Sequence, residues 1–249
     1  MLKKMVDYMD RYLRLKDIQD YPNAYNGLQI ENDGEIRQIA AAVDACEATM
    51  GMAAKERNTL LLVHHGLFWG GVQPVVGPFY RKLQTAIDKN LAVYSAHLPL
   101  DAHPQVGNNA LLARSIGLRK TEPFFEAFGN PIGLKSTVSL DRVALHGRIS
   151  AAVGGPVHLC PGGPERIRRI GIVTGGAGGE VARAAAEGVD TFITGEGPQH
   201  SYILAEELGI NVFYAGHYAT ETFGVKALAA HLAKKFNLPW RFLDHPTGL

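Results

Sequence analysis

The chain has 249 residues, 46% of them hydrophobic, and a formal net charge of +1 at pH 7. Its length allows one large domain or two small ones. No apolar run reaches the roughly 20 residues that a membrane-spanning helix needs, and no basic run indicates a nucleic-acid surface. Because Asp7, Asp10 and Arg11 interrupt the apolar start that a signal peptide requires, we expect a cytoplasmic protein. The two cysteines, Cys46 and Cys160, are far apart and lack metal-site spacing.

The first half of the chain alternates predicted strands with predicted helices. Apolar residues at helical spacing indicate an amphipathic helix over residues 2–15. Further helices are predicted over residues 47–57, 79–89 and 108–116. Strands are predicted over residues 27–31, 36–43, 60–63 and 91–96. This alternation is typical of a mostly parallel sheet with helices on both faces.

The second half repeats this order of elements. Ser139 is a good N-cap and predicts a helix over residues 140–153. Further helices are predicted over residues 178–187, 198–208 and 220–236. Strands are predicted over residues 157–160, 167–174, 189–194, 210–215 and 239–243. We therefore expect an α/β fold of two similar three-layer lobes, covering residues 1–120 and 121–249 and joined somewhere in 117–137. Terminal segments that cross between the lobes stay an open alternative.

The two halves also match residue by residue over one stretch. Ile39 matches Ile170, and at the same offset Leu61–Val63 matches Phe192–Thr194. The turn His64-His65-Gly66 then coincides with Gly195-Glu196-Gly197. Because the repeat unit is far longer than 20–50 residues, this pattern indicates an internal duplication and not a solenoid.

Histidines and carboxylates follow the predicted strands. His64 and His65 end the strand 60–63, and Gly66 permits the chain to turn there. In open α/β sheets, ligands bind at this end of the strands. His97 and Asp101 follow the next strand. His217 and Glu221 follow the matching strand of the second half, four residues apart and therefore on one helical face. Pro99 predicts that a loop presents Asp101.

These donors indicate a metal site in the cleft between the lobes. Imidazole and carboxylate suit zinc, iron, manganese or nickel, so the identity of the metal stays open. Two carboxylates can bridge two ions, which is a hydrolytic arrangement. The alternative for each histidine is a polar strand end bonded to a backbone carbonyl.

Other residues are candidates for proton transfer or substrate binding. His97, His103 and Glu196 are candidate acid–base groups, with substrate binding an alternative for Glu196 and a supporting contact an alternative for His103. The run Thr174–Gly179 follows a strand, and Gly175, Gly176 and Gly178 are candidates to cradle a substrate phosphate. A tight strand-to-helix turn is the alternative interpretation of these glycines.

Six motifs in order resemble the Nif-three-like family, also called dinuclear-metal-centre hexameric proteins or GTP cyclohydrolase type 2 homologues. The motifs are Tyr21–Glu31, Val63–Trp69, His97–His103 with Gly107–Asn109, Thr174–Gly179, Ile193–Glu196 and Gly216–Glu221. The resemblance covers essentially the whole chain and is to the short bacterial form.

The resemblance implies a ligand set, an assembly and an activity. It implies two divalent metal ions held by His64, His65, Asp101, His217 and Glu221, with His97 close by. It also implies a homohexameric toroid and a link to GTP cyclohydrolase activity. We therefore expect a dinuclear metal-dependent hydrolase of a small molecule, with a nucleotide as the candidate substrate. The alternatives are a phosphoester or peptide hydrolase at the same centre, or a non-catalytic protein that binds metal or a partner.

Overall fold

A computed structural model describes residues 1–248, which form two compact units. The first unit comprises residues 1–100 and 224–245, and the second comprises residues 101–223 and 246–248. The predicted lobe boundary at residue 120 therefore lies inside the second unit. Residues 224–245, near the end of the chain, belong to the first unit. Each unit is a mixed α/β fold with its own sheet.

The elements in chain order are as follows. The helices are α1 (Leu2–Tyr12), α2 (Glu47–Ala53), α3 (Gly77–Lys89), α4 (Leu98–Asp101), α5 (Asn108–Ser115), α6 (Arg142–Val153), α7 (Val181–Ala186), α8 (Gln199–Leu208) and α9 (His217–Phe236), with 3₁₀ turns at Pro22–Ala24 and Ala177–Glu180. The strands are β1 (Gly27–Ile30), β2 (Gln38–Asp44), β3 (Thr59–His65), β4 (Ala92–Ser95), β5 (Glu122–Ala127), β6 (Asn130–Asp141), β7 (His158–Pro161), β8 (Arg166–Ile172), β9 (Thr191–Thr194), β10 (Asn211–Tyr214) and β11 (Trp240–Phe242). Within the described residues, no helix is long and apolar enough to cross a membrane.

The first sheet has the strand order β1-β4-β3-β2-β11. Its inner strands β4, β3 and β2 run parallel, β11 adds a parallel edge, and β1 is antiparallel to β4. Leu60–Val63, the centre of β3, is buried. A continuous apolar run is what a strand covered on both faces requires. The core on one side of this sheet includes Leu61, Val63, Met50 and Leu91.

The second sheet has the strand order β5-β6-β8-β9-β10-β7. Its centre, β8-β9-β10, is parallel, whereas β5, β6 and β7 pair antiparallel with their neighbours. Its core includes Ile170, Ile172, Ile193 and Phe213. Parallel pairing thus occupies the middle of both sheets, and antiparallel strands lie toward the edges.

The two sheets share a register at the matched positions. Leu61 pairs with the residue after Ile39, and Phe192 pairs with the residue after Ile170. The flanking antiparallel strand also recurs, as β1 beside β4 and β7 beside β10. The predicted internal duplication requires this correspondence, and the duplication itself stays a prediction.

The start of the second half differs from the prediction. Residues 122–141, expected to be a linker followed by a helix start, form the hairpin β5–β6. Leu140 pairs with Ile167 across the ladder, so the strand continues past Ser139. Helix α6 is capped by Asp141, whose carboxylate accepts hydrogen bonds from the N–H groups of Val143 and Ala144. The prediction of Ser139 as the N-cap was therefore wrong.

Pro99 does not put Asp101 on a loop, as the sequence predicted. Residues Leu98–Asp101 form the single-turn helix α4, with Pro99 at its second position. The missing N–H of a proline is harmless in a first helical turn, because that group has no acceptor within the helix. Asp101 is therefore fixed by a short helix that begins directly after His97.

Candidate metal centre

Three imidazoles of the first unit converge at the ends of its strands. His64 and His65 end β3, and His97 follows β4. One ring nitrogen from each of the three lies within 4.8 Å of the corresponding nitrogens of the other two. The ring centroids of His64 and His97 are 4.9 Å apart, as are those of His64 and His65. His64 is fully buried, whereas His65 and His97 are partly exposed.

Each of these rings is fixed through the same nitrogen. Nδ1 of His64 lies 2.9 Å from the carbonyl oxygen of Ala96, and Nδ1 of His65 lies 2.8 Å from Oδ1 of Asp44. Nδ1 of His97 lies 2.9 Å from Oδ1 of Asp20. Because a carbonyl and two carboxylates only accept, Nδ1 donates in all three rings. The tautomer that places a lone pair on Nε2 is the one that ligates a metal, with Nδ1 held by an acceptor.

Asp20 is a central support that the sequence did not single out. Its side chain is 5% exposed and also accepts hydrogen bonds from Asn26 Nδ2 and the Leu98 N–H. Burial alone would raise the pKa of Asp20, but the bonds from His97, Asn26 and Leu98 together hold that pKa below its ordinary value. Asp20 therefore stays ionised while it orients His97 and the start of α4.

His217 and Glu221 form the corresponding pair in the second unit. His217 is the first residue of α9, and its Nε2 lies 3.1 Å from Oε1 of Glu221, one turn later. Nδ1 of His217 lies 2.8 Å from Oε1 of Glu196. Burial opposes protonation of His217, but Glu221 and then Glu196 raise its pKa to about 9. The two carboxylates therefore favour a positive charge on this ring, as they would favour a cation beside it.

Asp101 is a second buried carboxylate of this unit. It is 7% exposed, and Oδ1 accepts hydrogen bonds from Asn108 Nδ2 at 2.7 Å and Thr174 Oγ1 at 3.4 Å. Asn109 joins the same support, because its Oδ1 accepts the N–H of Thr174 and its Nδ2 donates to Ile132 O. The Asn108-Asn109 pair therefore ties the carboxylate to the end of β8.

The predicted phosphate-binding glycines have packing partners. The N–H of Gly175 donates to Thr220 Oγ1, and the N–H of Gly178 donates to Glu196 O. A Cβ on Gly178 would lie 2.5 Å from Glu196 O, whereas one on Gly176 would make ordinary contacts. Gly178 thus allows close approach of the turn that carries Glu196, whereas Gly175 allows close approach of the Glu221 carboxylate. A phosphate-binding role for Gly175, Gly176 and Gly178 stays a prediction.

The structure also places the two other candidate acid–base groups. Nδ1 of His103 accepts the N–H groups of Gln105 and Val106, both at 3.2 Å, so this ring stabilises a turn. Glu196 holds the Nδ1 side of His217 in the way that Asp44 holds His65. Proton-transfer roles for His97, His103 and Glu196 stay predictions.

The partners that orient the rings lead to a first testable prediction. Asp44→Ala removes the acceptor that fixes His65, and such partners are typically worth about 10–100-fold in metal affinity. We expect a loss of that size in metal titrations of the chelated protein. Asp88→Ala, which removes an exposed carboxylate on α3, is the control. Equal affinities in the two variants would show that Asp44 does not orient a ligand.

The fold and these groups define a class: a mixed α/β protein whose histidine and carboxylate groups are suited to a metal ion. The donor chemistry fits divalent transition metals, because imidazole and carboxylate are both ligands that such ions accept. The model of the Duf34/NIF3 (NGG1p interacting factor 3) family matches residues 1–247. The chain belongs to this family, which confirms the resemblance found in the sequence.

Relatives match over nearly their full length. A Deinococcus radiodurans protein called GTP cyclohydrolase 1 type 2 homolog is 45% identical over 250 residues, covering 99% of this chain and 94% of the relative. An Archaeoglobus fulgidus protein of the same name is 40% identical, covering 100% and 99%. The crystal structure of TTHA1606 from Thermus thermophilus is similar with a TM-score of 0.88 and 42% identity, covering 99% of each chain.

Proposed function

We propose that this chain binds two divalent metal ions through His64, His65, Asp101, His217 and Glu221 and hydrolyses a small-molecule substrate. The observation that carries the proposal is the shared orientation of the rings. His64, His65 and His217 each have Nδ1 beside a carbonyl or carboxylate, which directs Nε2 to a ligand. Asp101 and Glu221 are buried carboxylates, and carboxylate oxygens are ligands that divalent metal ions accept.

The metal ions, when bound, would lower the pKa of a water molecule and polarise the bond to be cleaved. The residues around them would hold and move protons. His97, aligned by Asp20 through Nδ1, presents Nε2 to the same region as His64 and His65. Its role in the proposal is to accept or return a proton during hydrolysis. Glu196 keeps His217 oriented through Nδ1.

The substrate that we propose first is GTP, with hydrolytic opening of the imidazole ring of guanine. The support is the name of the two relatives above, GTP cyclohydrolase 1 type 2 homolog. Phosphoester or peptide hydrolysis at the same residues is the enzymatic alternative, and metal binding without catalysis is the other. The proposal leaves zinc, iron, manganese and nickel as candidate ions, because the donor types suit all of them.

A substrate panel with metal reconstitution tests this proposal. The chelated protein would be reloaded with each candidate ion and assayed on GTP, other nucleotides and phosphoesters, beside His65→Ala. We expect turnover that requires metal and is lost in His65→Ala. Turnover that is unchanged in the variant would place catalysis elsewhere. Two bound ions without turnover on any substrate would favour the metal-binding protein.

A homohexamer is part of the proposal and rests on the family resemblance. Light scattering coupled to size-exclusion chromatography measures the mass of the assembly directly. A mass of six chains is expected, and a monomer at working concentration would reject this part alone.

A further inference from the structure

An aromatic cavity of the second unit adjoins the residue that holds His217. Its volume is about 570 Å³. Its lining includes three rings and one carboxylate, those of His158, Tyr202, Tyr214 and Glu196. Glu196 is thus shared, because Oε1 accepts from His217 while the side chain lines the cavity and is 41% exposed.

The rings are positioned by regular structure. His158 on β7 and Tyr214 on β10 are directly paired across an antiparallel ladder, so they lie on the same face of the sheet. Their ring centroids are 6.1 Å apart at an interplanar angle of 28°. Tyr202 reaches the same place from α8, with its ring centroid 5.7 Å from that of His158. Three elements therefore converge to build one aromatic wall.

Tyr214 is held rigidly in that wall. Its hydroxyl lies 2.6 Å from Ser201 Oγ. A Cβ on Gly178 or Gly197 would approach the Tyr214 ring to within 2.8 or 2.9 Å, so the ring rests on the glycine turns beside Glu196. A preformed aromatic surface binds a flat ligand without the cost of ordering its own side chains.

The lining also sets the charge of the ligand. In the part of the chain that the structure describes, Glu196 is the one carboxylate of this lining, and no lysine or arginine contributes to it. Phosphates and carboxylates would meet no lysine or arginine there. A carboxylate accepts several hydrogen bonds, so Glu196 can hold His217 and also accept N–H groups from a ligand. Pro156, Pro198 and Ile203 add apolar surface.

We propose that this cavity binds a planar nitrogen-containing aromatic ring whose N–H donors face Glu196. The aromatic wall would stack on the ring, and the carboxylate would select neighbouring N–H donors over acceptors. Because Glu196 also holds His217, occupancy of the cavity and loading of the metal site would influence each other's affinity. The site is a binding proposal that stands whether or not the chain is a hydrolase.

Calorimetric titration with 2-aminobenzimidazole tests the site, since this flat probe has adjacent N–H donors. Benzimidazole, without the amino group, and benzoate, an anion, are the comparison probes. We expect 2-aminobenzimidazole to bind best and benzoate not at all. Tyr202→Ala should weaken binding about tenfold, as expected for a lost aromatic contact. Tyr202→Phe should retain binding, and Tyr80→Ala removes an exposed ring on α3 as a control.

Two further variants separate a local effect from misfolding. Ile203 is 49% exposed, so Ile203→Lys is tolerated sterically and adds a cation to the wall. Ile203→Lys should weaken the binding of 2-aminobenzimidazole and permit benzoate to bind. Glu196→Gln should lower the affinity for 2-aminobenzimidazole to the affinity for benzimidazole. Absence of binding to the wild type at millimolar probe, or binding unchanged in Tyr202→Ala and Ile203→Lys, overturns the proposal.

The titrations would be run on both chelated and metal-loaded protein. Probe binding without metal-dependent turnover would leave this site standing and reject the hydrolase. Metal-dependent turnover without probe binding would reject this site alone.

Discussion

Glu221→Gln is expected to reduce the bound metal from the two ions per chain proposed above to one or none, and to abolish any metal-dependent hydrolysis. Glu221 is 3% exposed and approaches Nε2 of His217 to 3.1 Å. Glutamine keeps the size but removes the charge and one of the two ligating oxygens. Since losing a residue that merely orients a ligand costs about 10–100-fold in affinity, losing a charged ligand should cost at least that much.

Metal content by inductively coupled plasma mass spectrometry after desalting measures this directly. Glu207→Gln is the matched control, because it makes the same chemical change at an exposed position of α8. Circular dichroism would verify that both variants are folded. Two ions per chain in Glu221→Gln, with turnover equal to the control, would remove Glu221 from the proposed ligands.

The buried parallel strands could be predicted because their sequences leave little choice. Leu60–Val63 and Ile170–Ile172 lie in the centre of their sheets, and continuous apolar runs of this kind are typical of strands covered on both faces. The hairpin β5–β6 lacks this signal. It lies at the edge of the second sheet and contains Pro123, Pro131 and Gly133, residues that punctuate loops more often than strands.

Several ligand candidates could be predicted because strand ends are fixed by the strands. His64, His65 and His217 could be identified from the end of an apolar run and from the comparison of the two halves. The carboxylates that orient the histidines could be identified only in the folded chain. Asp44 lies 21 residues before His65, and Asp20 lies 77 before His97, so neither pair has a spacing that a sequence pattern reveals. Tertiary packing, which brings β2 beside β3 and the loop of Asp20 beside β4, decides those contacts.

One arrangement recurs in both units although the residues differ. In the first, Asp44 from the end of β2 holds Nδ1 of His65; in the second, Glu196 from the turn after β9 holds Nδ1 of His217. The position matched to His65 carries Glu196, so the second unit supplies an orienting carboxylate where the first supplies an imidazole. The matched turn therefore has different chemistry in the two halves, which is why the residues of one half cannot be inferred from those of the other.

Gly175→Ala is expected to damage metal binding more than it damages the fold. Gly175 has a φ of +75°, a left-handed conformation that costs an alanine roughly 1–2 kcal/mol. The new Cβ would also lie 2.3 Å from Oε1 of Glu221 and 3.4 Å from Nε2 of His217. The backbone is poorly placed to yield, because Gly175 N donates to Thr220 Oγ1 and Gly175 O accepts from the N–H groups of Gly195 and Glu196.

The carboxylate of Glu221 is the group that must move, since it is the far end of a side chain. Metal affinity should therefore fall by at least about tenfold, as for a lost supporting contact. Gly129→Ala is the matched control: its φ is +77°, and nothing lies within 4 Å of the added Cβ. In urea unfolding measured without metal, Gly129→Ala should lose only the free energy that its positive φ costs. Gly175→Ala should lose at least as much, and it alone should lose affinity in metal titrations. Equal metal affinities would show that the carboxylate of Glu221 does not need its present position, and would count against Glu221 as a ligand.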